Sequence, residues 1–218
     1  MFGFEDDWLL SRFLFLIPMV ASLTVHEWAH AFSALLLGDQ TANRLGRVTL
    51  NPLEHIDPIG TFLLPMMGVP FGWAKPVPIN PAGFRQDVGI RTGLVLTAAA
   101  GPVSNVCIAF VTAAILGGIA RFAPGLLSGR QDVVDLLQWI VVLNVVLASF
   151  NMIPIPPLDG SRIVDAWMPD ALRPAWDQLA AYSHFALLGV IVLPMFAGVN
   201  LLAWPMSWAD QLCAAVMP

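Results

Sequence analysis

Between Thr92 and Ala120 the chain runs without one charged side chain. About 20 such residues in a helix cross the hydrocarbon core of a bilayer, so this stretch reads as a membrane span. Leu136 to Ile153 is shorter but rich in Val, Leu and Ile, and Ala180 to Trp204 carries no charge beyond a proton on His184. Phe13 to Leu37 is apolar with a single interruption. Four spanning helices are therefore expected, at about 13–37, 92–120, 136–153 and 180–204. The composition agrees: 11% of residues are charged, against about 25% in soluble domains. The net charge of −5 comes from scattered acids, and no basic patch offers a surface to nucleic acid. No linker, repeat or low-complexity tract divides the chain, so residues 1–218 read as one all-α, multi-pass membrane domain. Cys107 and Cys213 lie in apolar segments without metal-like spacing and read as small buried hydrophobes.

The interruption in the first segment is "TVHEWAHAF", residues 24–32. Ionised groups at mid-bilayer cost about 2.5–3.5 kcal/mol each even on the lenient insertion scale, and they mark functional sites. His26 and His30 are four apart, so on a helix they project from nearly one face. Two neutral imidazoles at that spacing reach one Zn²⁺ at about 2.0–2.1 Å. Glu27 stands beside them and suits the base that takes a proton from metal-bound water: the H-e-x-x-H logic of metallohydrolases. Shuffling a chain of this composition yields the pattern about once in a thousand trials. The segment is too long for a cleavable signal peptide, and Glu5, Asp6 and Asp7 stand where a basic start would be needed, so it is expected to stay.

Catalytic zinc usually takes three protein ligands and keeps one open position. Glu54, His55, Asp57, Asp159, Asp165 and His184 are the candidates for the third. Asp159 stands out because it follows the third apolar segment in "NMIPIPPLDG", residues 151–160. Three prolines there break a regular helix, irregular backbone at membrane depth is tolerated where it lines a cavity, and Gly160 permits a tight turn after the carboxylate. His55, among Pro52, Glu54 and Asp57, reads instead as a structural histidine with a carboxylate partner. His184 and the pair Trp204 and Trp208 read as interfacial.

Residues 59–69 are apolar but broken by Gly60, Pro65 and Gly68, which suits a re-entrant or interfacial piece rather than a span. Around it, "ANRLGRVTLN" and "FGWAKPVPI" carry β-branched residues between turn formers, so short strands are expected within 44–80. Seven of the ten Lys and Arg residues fall in the connections after the first and third segments, which places those connections in the cytoplasm and the N-terminus outside. For His30 and Asp159 to meet, the first and third segments must cross in the same direction, so the piece at 59–69 must dip and return.

"HEWAH" in one apolar segment and "NMIPIPPLDG" at the end of a later one resemble the site-2 protease family of intramembrane zinc metalloproteases. "AGPVSN", residues 100–105, is similar to the Gly-Pro-x-x-Asn pattern of that family's middle core helix, and "NPLEHIDPIGT" and "FGWAKPVPINP" resemble its short branch. The resemblance covers roughly Leu14 to Asp165. It implies that His26, His30 and Asp159 bind one Zn²⁺, that Glu27 is the catalytic base, and that Asn151 lies near the active site. It also suits a transmembrane protein or peptide as substrate within a lipid bilayer, and the Lys and Arg placement sets the cut near the cytoplasmic face. The chain has no room for the PDZ or CBS domains of some relatives. Asn151 and Asn105 are both candidates to donate to an oxyanion or to substrate backbone. Of the two, Asn151 suits the site role better, whereas Asn105, and Asn144 with it, better suit interhelical hydrogen bonds, and "TAAAGP", residues 97–102, suits close helix packing. Two other functions fit the cluster: a metal or proton transporter using the same side chains, and an inactive relative that binds membrane partners. The absence of paired repeats and of acids spread along a path counts against the first; the complete ligand and base set counts against the second.

Overall fold

The computed structural model describes residues 8–67, 72–183, 185, 189 and 203–216, with side chains from residue 13 onward. The longer elements are all helices: α1 (Trp8–Leu36), α2 (Ile90–Phe122), α3 (Gln131–Asn151), α4 (Asp159–Ala166), α5 (Arg173–Ala181) and α6 (Ala203–Val216). Of these, α2 and α3 are long and apolar enough to cross a membrane. The expected segments 13–37, 92–120 and 136–153 correspond to α1, α2 and α3. The fourth, 180–204, falls mostly outside the described residues, as does His184. Helix α6, which carries Trp204 and Trp208, follows it and was not expected.

Helix α2 is the centre of the bundle and packs against α1, α3, α4 and α6. Its inward face is built from small residues: Ala98, Ala109 and Ala113 are buried, as is Gly101, which lets neighbouring backbones approach closely. Its outward face carries Val103, Phe110, Val111 and Ile115, all exposed, a row of apolar surface suited to lipid. One apolar cluster joins Leu16, Met19 and Leu23 of α1 to Ala74 and Leu143. Another joins Ala109 and Ala113 to Val141, Ala209 and Cys213. Cys213 is thus buried as its apolar setting suggests, whereas Cys107 lies on the exposed side of α2.

Among the described residues there is no β-strand, which corrects the expectation for 44–80. Thr41–Arg44 forms a helical turn instead, and the chain reverses at Gly46 with φ +69°. Residues 73–80 form no ladder. Pro76 and Pro78 have no N–H to give one. The N–H of Lys75 goes to the His55 carbonyl and that of Val77 to the Glu27 carboxylate. Of the broken piece at 59–69, the described residues up to 67 form a π-helical turn, Pro58–Leu63, running into Leu64–Met66; Gly68 and Val69 lie outside the described residues. Asp57 caps it, accepting from the N–H groups of Ile59 and Gly60.

Between α1 and α2 the chain is held by polar residues rather than by regular structure. Asp39, 1% exposed, accepts from the backbone N–H groups of Thr41 and Asn80. Gly38 has φ +109°, and a Cβ there would meet Arg85, so the reversal at the end of α1 requires glycine.

Candidate metal centre

Thr97, Gly101 and Asn105 are spaced by four on α2 and share one face of it. That face is laid against His26 and His30 of α1. His30 Nδ1 lies 2.6 Å from the Thr97 carbonyl, and His26 Nδ1 lies 2.6 Å from Asn105 Oδ1. The pairing 97 with 30 and 105 with 26 means that the two helices run in opposite directions here. Between the two contacts, Gly101 leaves room for the rings: a Cβ at 101 would strike His30 Nε2 and come within 2.7 Å of His26 Nε2. The small-residue run at 97–102 therefore does more than pack helices, since it seats two imidazoles. Its signal in the sequence is the fourfold spacing of Gly101 and Asn105, whose small size and amide both matter; the Thr97 carbonyl leaves none.

A carbonyl oxygen only accepts, so the proton of a neutral His30 sits on Nδ1 and the lone pair on Nε2. The same holds for His26 opposite the Asn105 oxygen. Both lone pairs point to one place. The two Nε2 atoms are 3.1 Å apart, and Asp159 Oδ2 lies 3.2 Å from each. The three donor atoms form a nearly equilateral triangle, close to the edge of about 3.3 Å that three tetrahedral ligands at 2.0–2.1 Å would make around Zn²⁺. His26, His30 and Asp159 are all buried, and Oδ2 of Asp159 has no hydrogen-bond partner. Three lone pairs converging in a buried site repel one another unless a cation lies among them. The residues present therefore fit a single zinc ion.

Asp159 is delivered by the break after α3. The chain leaves α3 through Met152–Leu158, with a cis peptide between Pro156 and Pro157, and Asp159 opens α4. Gly160 does not have the positive φ of a tight turn. It is needed because its Cα lies against the carbonyls of Met152 and Ile153 at the end of α3, where any Cβ would collide. When a proton rather than a metal lies between Asp159 and the imidazoles, burial works to raise the carboxyl pKa. A protonated His26 or His30, 3.2 Å away, outweighs burial and holds it well below the usual carboxylate range.

Glu27 is buried, and its Oε2 accepts the Val77 N–H at 3.0 Å. Val77 in turn belongs to a clamped segment. The buried Arg47 guanidinium reaches the carbonyls of Lys75 and Pro76, at 2.5 and 3.4 Å, and lies 3.5 Å from His55 Nδ1. His55 Nε2 is 2.9 Å from the Thr49 carbonyl. Its partners are thus backbone and arginine, not the carboxylate anticipated from Glu54 and Asp57. The roles of Val77, whose N–H is backbone, and of Arg47 had no signal in the residue pattern.

The remaining candidates lie elsewhere. Asp165 pairs with Arg173, Asp57 caps the π turn, and Glu54 is exposed. Asn151 donates to the Leu147 carbonyl at 3.0 Å. Asn105 is engaged at both ends of its amide, by His26 and by Asn144 Oδ1 at 2.8 Å. A cavity of about 490 Å³ adjoins the centre, lined by Pro76, Val77, Pro78, Ile79, Leu94, Thr97, Arg162 and Asp165. It shares Val77 with the Glu27 contact and Thr97 with the His30 contact.

A helix carrying two histidines and a glutamate in the H-e-x-x-H pattern, closed by a carboxylate from a second helix of an apolar bundle, defines the class: a zinc metalloprotease built into membrane helices. Comparison with known proteins makes the assignment particular. The model of Peptidase family M50 matches residues 125–193. YwhC of Bacillus subtilis, named as a zinc metalloprotease, is 38% identical over 196 residues, which cover 89% of this chain and 86% of YwhC. Rip2 of Mycolicibacterium smegmatis, named likewise, is 27% identical over 82% of this chain and 65% of its own length. MJ0611 of Methanocaldococcus jannaschii, also named as a zinc metalloprotease, is 40% identical over 33% of each chain. No solved structure matches. The chain belongs to Peptidase family M50, the site-2 proteases, and is an intramembrane zinc-dependent metalloendopeptidase.

Proposed function

We propose that His26, His30 and Asp159 hold the zinc and that Glu27 is the base of peptide hydrolysis. The observation that carries this reading is the triangle of Nε2, Nε2 and Oδ2 atoms with edges of 3.1–3.2 Å. Zinc, when bound, supplies Lewis acidity toward water and the scissile carbonyl. The chain's own residues do the rest. Glu27, aimed by the Val77 N–H, takes a proton from the attacking water and later gives it to the leaving amine. Asn151, held to the end of α3 by its bond to the Leu147 carbonyl, donates to the oxyanion or to substrate backbone.

The substrate is a transmembrane segment of another protein, unwound near the cut because a helix shields its own carbonyls. The cavity beside Val77 and Thr97 receives the extended stretch. The apolar residues lining it, Ile79 and Leu94 among them, suit a membrane-derived sequence. Four spans with a re-entrant piece at 59–69 would place the metal toward the cytoplasm and the N-terminus outside, as the Lys and Arg distribution favours. The whole of 1–218 acts as one domain.

Glu27→Gln tests the assignment. Cleavage of a membrane-protein substrate should fall by about 10²–10⁴-fold, while zinc remains at one per chain. A variant that keeps full turnover would remove Glu27 from the chemistry. Retained ion transport with no proteolysis in the unaltered protein would favour a carrier.

A further inference from the structure

His30 and His26 are oriented by different means. His30 leans on a backbone carbonyl, which no substitution removes. His26 leans on a side chain, and that side chain is itself the middle of a buried relay. Asn105 Nδ2 donates to Asn144 Oδ1 at 2.8 Å, and Asn144 Nδ2 donates to Ser22 Oγ and to the Ile140 carbonyl, each at 2.9 Å. Asn105 and Asn144 are 0% exposed, Ser22 3% and His26 4%. Ser22 and His26 are one turn apart on α1, Asn105 is on α2 and Asn144 on α3, so the relay leaves α1, crosses both neighbours and returns to α1.

The direction of the relay follows from its far end. The Ile140 carbonyl accepts only, so the Asn144 atom facing it must be the NH₂ group. The Asn144 oxygen then faces Asn105 and must receive a donor, which turns the Asn105 NH₂ toward it. The Asn105 oxygen is left facing His26, where it can only accept. His26 must then carry its proton on Nδ1 and present its Nε2 lone pair to the metal. Were the Asn144 amide reversed, each step would reverse, and a donor would oppose His26 Nδ1.

We propose that Asn144 is a positioning residue for the metal centre, acting through Asn105 to fix the tautomer and ring orientation of His26, with Ser22 as the outer anchor. This rests on the reading that His26 binds the zinc. Outer partners of metal-bound histidines set both tautomer and basicity, and their loss typically weakens metal binding 10–100-fold. An asparagine that merely joined helices would affect stability without selecting a face of His26.

The test uses the full-length protein, loaded with zinc or cobalt. Zinc affinity is read by competition with a chromophoric chelator, coordination by the cobalt absorption spectrum, and folding by helix content. Asn144→Leu, of similar volume but without an amide, should weaken zinc binding about 10–100-fold and change the cobalt spectrum. Asn105→Asp keeps an acceptor against His26 Nδ1 but sets an oxygen against Asn144 Oδ1, so it should lose less zinc affinity than Asn105→Leu, which should fall with Asn144→Leu. Ser22→Ala should have the smallest effect, because the Ile140 carbonyl still orients Asn144. A folded Asn144→Leu protein with parental affinity and spectrum overturns the proposal. If Asn144→Leu does not fold, the Asn105 pair decides, and equal affinities in Asp and Leu overturn it. His26→Ala separates the two levels. Parental zinc affinity in His26→Ala overturns the metal assignment and the relay with it; weakened binding there beside parental affinity in Asn144→Leu overturns the relay alone.

Discussion

Two walls meet α1 at the level of its functional residues, and they hold those residues by opposite means. The wall made by α2 is regular: Thr97, Gly101 and Asn105 recur every turn and grip His30 and His26 from a rigid helix backed by α3. The wall made by residues 73–80 has no ladder and no helix until Pro81. It reaches Glu27 through one backbone N–H, and Arg47 keeps it in place by binding its carbonyls. The difference separates two requirements of the chemistry. A metal site tolerates little error in ligand position, which a packed helix face supplies. A base must move a proton to and from substrate, and the segment that aims it also lines the cavity where substrate would lie. Damage to the first wall should therefore appear as lost metal, and damage to the second as lost turnover with metal retained.

The largest effect is expected from Gly101→Val. Its side chain would occupy the space of both imidazoles, so zinc content should fall to background and proteolysis with it. Metal analysis of the purified variant checks this, and a full zinc complement would show that α2 does not shape the site. A smaller, different loss is expected from Arg47→Met. The carbonyls of Lys75 and Pro76 lose their partner, and a buried acceptor left unpaired costs about 1–3 kcal/mol. Turnover should drop about tenfold or more while zinc stays bound; lost zinc would join the two walls into one unit. The mildest is Val77→Pro. Val77 precedes Pro78 and is therefore already biased to the extended region; proline there removes the N–H that Glu27 accepts from, at the cost of some packing against Ala31 and Ala42. A hydrogen bond to a charged group is worth about 1.5–3 kcal/mol; because water can partly replace it beside the cavity, a loss in kcat near the lower end, about tenfold, is expected with unchanged zinc affinity. Unchanged kcat would mean that the contact does not aim the base.

The two walls also differ in how far they could be read in advance. The cluster of His26, His30 and Asp159 was legible because metal chemistry would impose a pattern on side chains: the histidine spacing on one helix, and a carboxylate just past a proline-broken end. Even Gly101 was visible in part, as a small residue in a close-packing run, although its task of seating the rings was not. Thr97 acts through its carbonyl and Val77 through its N–H, and a backbone group leaves no mark on residue identity. The strands expected around 44–50 and 73–79 failed for a related reason. β-branched residues suggested pairing, but in 73–79 Pro76 and Pro78 lack donors and the N–H groups of Lys75 and Val77 are committed to the His55 carbonyl and the Glu27 carboxylate. His55 is structural, as its loop setting suggests, yet its partners are Arg47 and the Thr49 carbonyl and not an acid.

Zinc K-edge X-ray absorption on Asp159→Cys tests the shared triangle of His26, His30 and Asp159 most directly. The unaltered protein should show only nitrogen and oxygen neighbours, at about 2.0–2.1 Å. In the variant one of them should be replaced by sulfur at about 2.3 Å, with the two imidazoles retained. Full zinc occupancy without a sulfur neighbour would place residue 159 outside the metal's coordination shell and contradict the site.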